Sequence, residues 1–451
     1  MTEGNNTVSL AEMLDAREQR VYRQDALRQK YGVPLVSFTM NIAGPVKNTP
    51  AIERTFNEGL DLMHRSLAGS FIICEQIVIR AKTGCEALLA VDGDAAEIKK
   101  RCVQVEEAAP VGRLFDMDVL DADGRKLDRA HERSCIVCGR PGRTCASRRL
   151  HSVAELQDAA RDLIAGYWLD RDAEQAAQMI VSALSEEVCT TPKPGLVDLN
   201  NNGSHKDMDA PLMLKSAQCL LPYFRTAFRI GYAYRKKPAA ETFPALRQAG
   251  LQAEKTMFET TAGVNTHKGA IFHFGLIAGA LGRLYNGILC TSAADTAATA
   301  AAICREALAR ELEQPASGRG STFGEQMYRL YGLRGARGEA MDGYRTIISD
   351  ILPAFRRDLE KTGDHNKAGC IALLRLIASS EDTNMIHRGG YDLAARTREE
   401  ITGLMQGEIT EAILLELDRA FISRNLSPGG AADLLGILYF FHELEAQKNT
   451  D

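Results

Sequence analysis

The sequence has no excess of basic residues, no apolar run long enough to cross a bilayer, no internal repeat and no cysteine framework. Each absence excludes a class of protein. Among 451 residues, 54 Lys and Arg stand against 59 Asp and Glu, a net charge of −5. No basic footprint for gripping nucleic acid non-specifically is left. The longest apolar stretch, residues 269–282, carries His273 and is stopped by Arg283. It falls short of the ~20 residues a spanning helix needs, so it reads as a buried helix and no membrane partner is expected. The N-terminus lacks a basic segment followed by an apolar one, so no secretory signal is expected. Eleven scattered cysteines do not make a disulfide scaffold and point to a reducing cytoplasm. What remains, 45% apolar and 25% charged residues, is the composition of a soluble globular chain. Its length predicts two or three domains.

The pattern of elements divides the chain. Before about residue 150, helical periods at 8–31, 53–68 and 95–109 alternate with β-prone runs at 34–40, 71–80, 86–91 and 114–120. That alternation predicts an α/β or α+β domain over residues 1–155. Beyond it, Ala-, Leu-, Glu- and Arg-rich segments with a period near 3.6 predict helices over 159–169, 172–187, 211–232, 244–260, 293–312 and 346–359. Residues 156–451 should therefore form a nearly all-α domain. Its polar residues gather at a few junctions between helices, and such junctions are where chemistry concentrates.

Three features of the first part carry chemistry. In Gly112-Arg113-Leu114-Phe115-Asp116-Met117-Asp118, two carboxylates sit two apart on a strand and face the same side. Oxygen pairs of this kind suit Mg²⁺, which keeps waters for phosphate oxygens. In Asn41-Ile42-Ala43-Gly44-Pro45-Val46-Lys47, a Gly-Pro turn exposes backbone N–H groups beside a cation, which suits a phosphate. Cys135, Cys138, Cys145 and His151 offer three thiolates and an imidazole, a set that closes a tetrahedral Zn²⁺ site.

Five clusters punctuate the second part. Cys189-Thr190-Thr191-Pro192-Lys193-Pro194-Gly195 holds Lys193 in a stiff loop. Asn202, His205, Asp207 and Asp209 crowd the junction before the next helix, more polar groups than a helix cap needs. Asn265-Thr266-His267-Lys268-Gly269 opens the apolar helix, where free N–H groups and Lys268 favour an anion. Arg334 and Arg337 flank glycines ahead of Glu339, and guanidinium groups grip phosphate bidentately. Asp382, Asn384, His387 and Arg388 share one short turn. Five such clusters in one helical domain predict a single convergent site.

Strings in these two parts resemble known families. N-x-x-G-P-x-K, G-R-L-F-D-x-D-V, C-x-x-C and R-R-x-H-S-V occur in order over about residues 10–155. They resemble the holo-citrate lyase synthases, the apo-citrate lyase phosphoribosyl-dephospho-CoA transferases. The resemblance implies a nucleotidyltransferase-like fold and transfer of a phosphoribosyl-dephospho-CoA group to a serine of the citrate lyase acyl carrier (gamma) subunit. Asp116 and Asp118 would hold the Mg²⁺ that neutralises the departing diphosphate, with Asn41, Lys47 and Arg113 assisting.

From about residue 170 to 445, T-P-K-P-G-L-V-D, G-V-N-T-H-K-G-A, G-A-R-G-E-A and D-T-N-x-x-H-R-G-G resemble the triphosphoribosyl-dephospho-CoA synthases. Leu199, where a basic residue is expected beside Asp198, and Met341 after the Gly-Glu-Ala string depart from the pattern. The resemblance implies that ATP and 3′-dephospho-CoA are joined with release of adenine. Lys193, Lys268, Arg334, Arg337 and Arg388 would hold phosphates. Asp207, Asp209, Glu339 and Asp382 would bind metal, take a proton or stabilise an oxocarbenium-like state. His205, His267 and His387 would donate protons or hydrogen bonds, and Asn202, Asn265 and Asn384 would contact substrate. The expected protein is a fused bifunctional enzyme. Two readings compete: the equivalent maturation enzyme for malonate decarboxylase, which uses the same prosthetic group, and an inactive nucleotide- or CoA-binding regulator.

Overall fold

A computed structural model describes residues 6–313 and 323–448. The chain divides into two compact units, Met1–Asp170 with Asn286–Ile288, and Arg171–Tyr285 with Leu289–Asp451.

The first unit is built on four antiparallel strands, β1 (Leu35–Met40), β2 (Ile72–Ala81), β3 (Gly84–Asp92) and β4 (Phe115–Leu120), in the order β2-β3-β1-β4. With every pair antiparallel, this unit is α+β rather than α/β. Helices α1 (Leu10–Tyr31), α2 (Pro50–Leu67) and α3 (Ala95–Glu107) cover the sheet. Each begins at a side-chain cap, Ser9, Thr49 and Asp94 respectively, which satisfies amides the helix leaves open. On one face Phe38 stacks on Phe56 of α2 with ring centroids 4.7 Å apart. On the other, Leu27 of α1 packs with Leu35, Leu88 and Ala90.

After β4 the chain runs through a segment with little core of its own. Between residues 121 and 152 only Cys145 is buried. The segment contains α4 (Gly142–Arg148). The 37-residue α5 (Val153–Cys189) follows. It replaces the two helices expected over 159–169 and 172–187, because Leu169-Asp170-Arg171 contains no Gly or Pro to break the period.

The described residues of the second unit form helices joined by loops, with no strand among them. In order come α6 (Ala210–Cys219), α7 (Leu221–Tyr234), α8 (Phe243–Thr260), α9 (Lys268–Leu284) and α10 (Ala293–Glu313). They are followed by α11 (Phe323–Tyr331), α12 (Gly335–Met341), α13 (Leu352–Thr362) and α14 (His365–Ser379). Last are α15 (Thr383–Gly389), α16 (Tyr391–Leu404), α17 (Glu411–Ser423) and α18 (Gly429–Lys448). The helix expected over 211–232 is two, because Pro222 sits in the first turn of α7 and cannot donate to the preceding turn.

The apolar run at 269–282 is the centre of this unit. Apart from Phe272, every residue from Ala270 to Gly282 is buried. Helix α7 approaches α9 almost backbone to backbone. A Cβ added at Gly282 would lie 1.9 Å from the Phe228 carbonyl oxygen, and one at Gly231 would lie 2.0 Å from that of Gly279. Only glycine permits that approach.

Candidate active sites

Register fixes which side chains share a face in the first unit. Thr39 pairs with both Glu86 and Asp116, and Ser37 with both Leu88 and Asp118. Directly paired residues project to the same side, so the two aspartates lie on the face that α1 covers. Gln24 of α1 donates to Ser37 Oγ at 3.0 Å, and Arg20 pairs with Glu86 at 2.5 Å. Asp118 meets Lys126 at 2.6 Å. Burial, and then the adjacent Asp118, push the Asp116 carboxyl above its ordinary range, against the pull of Arg133 and Lys126. Two oxygen donors that repel each other, half-buried on an edge strand, fit a hard divalent cation.

The phosphate candidates lie at the same end of the sheet. Asn41 is exposed, and its backbone N–H donates to the Leu114 carbonyl at 2.7 Å, just before β4. Lys47 folds back to donate to the Ile42 carbonyl at 2.5 Å. Burial and the charge of Arg17 push its ammonium pKa down. Arg113 donates to the Ser134 carbonyl. Buried Glu106 accepts from the Met117 N–H at 2.8 Å and pairs with Arg129 at 2.6 Å and with Arg133.

The ligand atoms of Cys135, Cys138, Cys145 and His151 all lie within 4.8 Å of one another. Cys138 and Cys145 sulfurs are 3.4 Å apart, and His151 Nε2 is 3.2 Å from Cys138 Sγ.

In the second unit, one cavity of about 860 Å³ gathers the interhelix clusters. His205, Asp207, Asn265, His267, Lys268, Arg334, Glu339, Asp382, Asn384, His387 and Arg388 all line it. Lys193, Asn202, Asp209 and Arg337 are not among its lining residues. Lys193, expected at a phosphate, is 1% exposed and paired with Glu187. Asp209 caps α6, accepting from the Leu212 N–H at 2.9 Å. Asn202 is exposed.

His267 sits at the start of α9. Its Nδ1 lies 3.0 Å from Ser216 Oγ, which in turn lies 2.6 Å from Thr266 Oγ1. Its Nε2 is buried with no hydrogen-bond partner. Burial holds the ring neutral, with its pKa pushed down to about 4. Two residues further on, Gly269 faces Asp433: a Cβ there would lie 1.9 Å from Asp433 Oδ2. Burial, then Glu187 and Asp382, push Asp433 well above the usual carboxylate range. Burial and Asp342 raise Glu339 too, with Arg334 opposing.

The cations are held by side chains rather than left loose. Arg334 grips Asp342 through both guanidinium ends. Lys268 meets Glu254 at 2.9 Å. Arg388 donates to the Ser204 carbonyl at 2.9 Å and to His205 Nδ1 at 3.2 Å. Because Arg can only donate, His205 carries its proton on Nε2 and gives it to Ser427 Oγ at 2.8 Å. Asp382 accepts from the N–H groups of Asn384 (2.8 Å), Met385 (3.1 Å) and Ala431 (2.9 Å), tying the starts of α15 and α18 together.

Sequence reading passed over several groups. Asp198 organises its loop by accepting from Thr191, Lys193, Asn200 and Asn201. Glu187, Arg398 and Asp433 line the cavity from within helices. A lone Asp433 in the apolar run Ala431 to Leu435 was a usable signal. His273 also lines the cavity, 3.1 Å from the hydroxyl of Tyr344. Tyr344 is fully buried at φ +50°, a conformation that side chains rarely hold outside over-determined sites.

Comparison with known proteins follows the same division. Residues 8–167 match the family model of the apo-citrate lyase phosphoribosyl-dephospho-CoA transferases. Residues 173–451 match that of the ATP:dephospho-CoA triphosphoribosyl transferases. Protein CitXG of Haemophilus influenzae is 36% identical over 458 residues, covering 98% of this chain and 97% of the relative. Protein CitXG of Leuconostoc mesenteroides subsp. cremoris is 30% identical over 98% of both chains. A probable 2-(5''-triphosphoribosyl)-3'-dephosphocoenzyme-A synthase of Pectobacterium carotovorum is 40% identical over 60% of this chain and 89% of its own.

Proposed function

Since the chain belongs to the family of fused citrate lyase prosthetic-group enzymes, a transferase with two activities, we propose how its two candidate sites divide the work. The second unit joins ATP to 3′-dephospho-CoA. The 2′-hydroxyl of dephospho-CoA attacks C1′ of the ATP ribose, the new C–O bond replaces the glycosidic bond, and adenine leaves with a proton. The first unit transfers the phosphoribosyl-dephospho-CoA group to a carrier serine, and diphosphate leaves.

The observation that carries this reading is the buried, unpartnered Nε2 of His267 in a cavity that also holds Lys268, Arg334, Arg388 and Arg398. In the tautomer whose Nδ1–H donates to Ser216 Oγ, 3.0 Å away, Nε2 presents a lone pair to the attacking hydroxyl. Asp433, raised well toward the protonated form, supplies the one proton that leaves with adenine, and Glu339, also raised, lines the same cavity. The cations hold the triphosphate, each already oriented by a partner. Asp207 at the cavity wall supplies negative charge toward the oxocarbenium-like state.

In the first unit, a nucleotidyltransferase-like chemistry rests on Asp116 and Asp118. When bound by this pair, Mg²⁺ supplies charge neutralisation to the diphosphate. Arg113 and Arg133 flank the pair and orient the phosphates. The apo-citrate lyase match of residues 8–167 favours the citrate lyase carrier over a malonate decarboxylase one. Eleven cysteines scattered along the chain rather than set in a disulfide framework fit a cytoplasmic setting. No described helix is long and apolar enough to cross a membrane.

Two substitutions test the division. His267→Asn should abolish adenine release from ATP that depends on dephospho-CoA, yet leave transfer of pre-formed precursor intact. Asp116→Ala should do the reverse. Loss of both activities in either variant, with the fold retained, would refute the assignment.

A further inference from the structure

We propose that Cys135, Cys138, Cys145 and His151 bind a structural Zn²⁺ that fastens the segment after β4 and thereby sets Arg113 and Arg133 beside the Asp116–Asp118 pair. The donor set is three sulfurs and one imidazole nitrogen, all within 4.8 Å of one another. A tetrahedral zinc with Zn–S bonds of ~2.3 Å needs ligand atoms roughly 3.8 Å apart. The 3.4 Å between Cys138 and Cys145 sulfurs and the 3.2 Å from His151 Nε2 to Cys138 are close to that edge.

The backbone is already shaped as a metal knuckle. The Val137 N–H points at Cys135 Sγ (3.5 Å), and the Gly139 N–H returns to the Cys135 carbonyl at 2.9 Å, with Gly139 at φ +72°. Cys135 N–H donates to the Arg140 carbonyl at 2.6 Å, and Leu150 N–H to that of Cys145 at 3.1 Å. The second link delivers His151 to the cluster.

A packing argument points the same way. Residues 121–152 bury only Cys145, so hydrophobic burial cannot hold them. Segments of this kind are held by metals or disulfides. The links to the acid pair run through two arginines and Glu106. Arg113 donates to the carbonyl of Ser134, one residue before Cys135. Arg133, two before it, pairs with the Glu106 that also accepts from Met117 between the two aspartates. The metal site stands without the reaction, whereas the positioning role rests on reading Asp116 and Asp118 as the transfer site.

The test uses the full chain, purified without chelator. Elemental analysis should give about one zinc per chain that survives dialysis. Exchange with Co²⁺ should give the intense visible bands and thiolate charge-transfer absorption of a tetrahedral sulfur-rich site. The double variant C138S/C145S should lose the metal, and C290S, at an exposed cysteine elsewhere, should keep it. Transfer to the carrier should fall about tenfold or more in the double variant, with adenine release unchanged, which also reports that the chain has folded. Absence of zinc and of the cobalt spectrum in the wild-type chain overturns the site, as does zinc retained by C138S/C145S. Zinc lost with transfer unchanged overturns the positioning role. A wild-type chain that binds zinc but transfers nothing to the carrier instead counts against the reading of Asp116 and Asp118.

Discussion

Replacing Lys193 with methionine keeps the volume of the side-chain stem and removes only the ammonium. Lys193 is 1% exposed and its ammonium meets both the carboxylate and the carbonyl of Glu187, which is itself 5% exposed. Removing one partner of a buried pair costs about 3–5 kcal/mol, because the other charge is stranded. Glu187 has an escape: it can take up a proton. Neutralising an ordinary glutamate at pH 7 costs about 3.7 kcal/mol, which caps the penalty. Spread over the roughly 280 residues of the second unit, that corresponds to a melting temperature about 6 °C lower.

The loss should depend on pH in a definite direction. Burial already pushes Glu187 upward, and Lys193 is the first influence pulling it back. In the variant the folded-state pKa therefore lies above the unfolded one. Below the unfolded pKa both states carry the proton and the penalty disappears. Above it the penalty grows by about 1.4 kcal/mol per pH unit until the folded pKa is passed. Calorimetry of the second unit's transition should show a larger deficit at pH 8 than at pH 5.5, and K193M/E187Q should remove most of that dependence. A K193M protein within about 1 kcal/mol of wild type at pH 8, or a deficit equal at both pH values, would refute the reasoning.

Other outcomes follow from the same geometry. Gly269→Ala puts a methyl 1.9 Å from Asp433 Oδ2; the carboxyl must swing away, so adenine release should fall about tenfold or more while the melting temperature barely changes. Asp382→Ala strands three N–H groups at the starts of α15 and α18 and should cost about 2–4 kcal/mol in denaturant unfolding, with Asp382→Asn recovering most of it. Asp209→Ala removes only a helix cap; it should cost about 1 kcal/mol and leave the rate of adenine release as it was.

How much of this was legible in the sequence depends on where each residue's partner lies. The β-prone runs and the helical periods reported their elements because both signals are local. Convergence of the interhelix clusters was legible too, since polar groups such as His267, Glu339 and Arg388 have no other reason to crowd helix junctions. Lys193 was misleading because its partner, Glu187, looks like any charged helix residue; only burial distinguishes the two. Asp382 and Asp209 carry the same residue type in similar positions, yet one ties two helices inside the cavity wall and the other caps one at the surface. Sequence spacing does not separate those cases. The long helix α5 reads as two segments, 159–169 and 172–187, although no Gly or Pro between them stops a helix.

The glycine contact between α7 and α9 bears on how variants of this protein should be interpreted. Helix α9 carries His267, Lys268 and Gly269 at its first turn, while Gly279 and Gly282 lock its far end against Phe228 and Gly231. A single methyl at Gly282 pushes on rigid main chain, so the whole rod must translate, and its reactive tip with it. In a genetic screen such a change would score as loss of enzyme activity with every chemical group still present. Intolerance at these glycines would then measure the mechanical tolerance of the cavity, about the width of one carbon atom, rather than any role in the reaction.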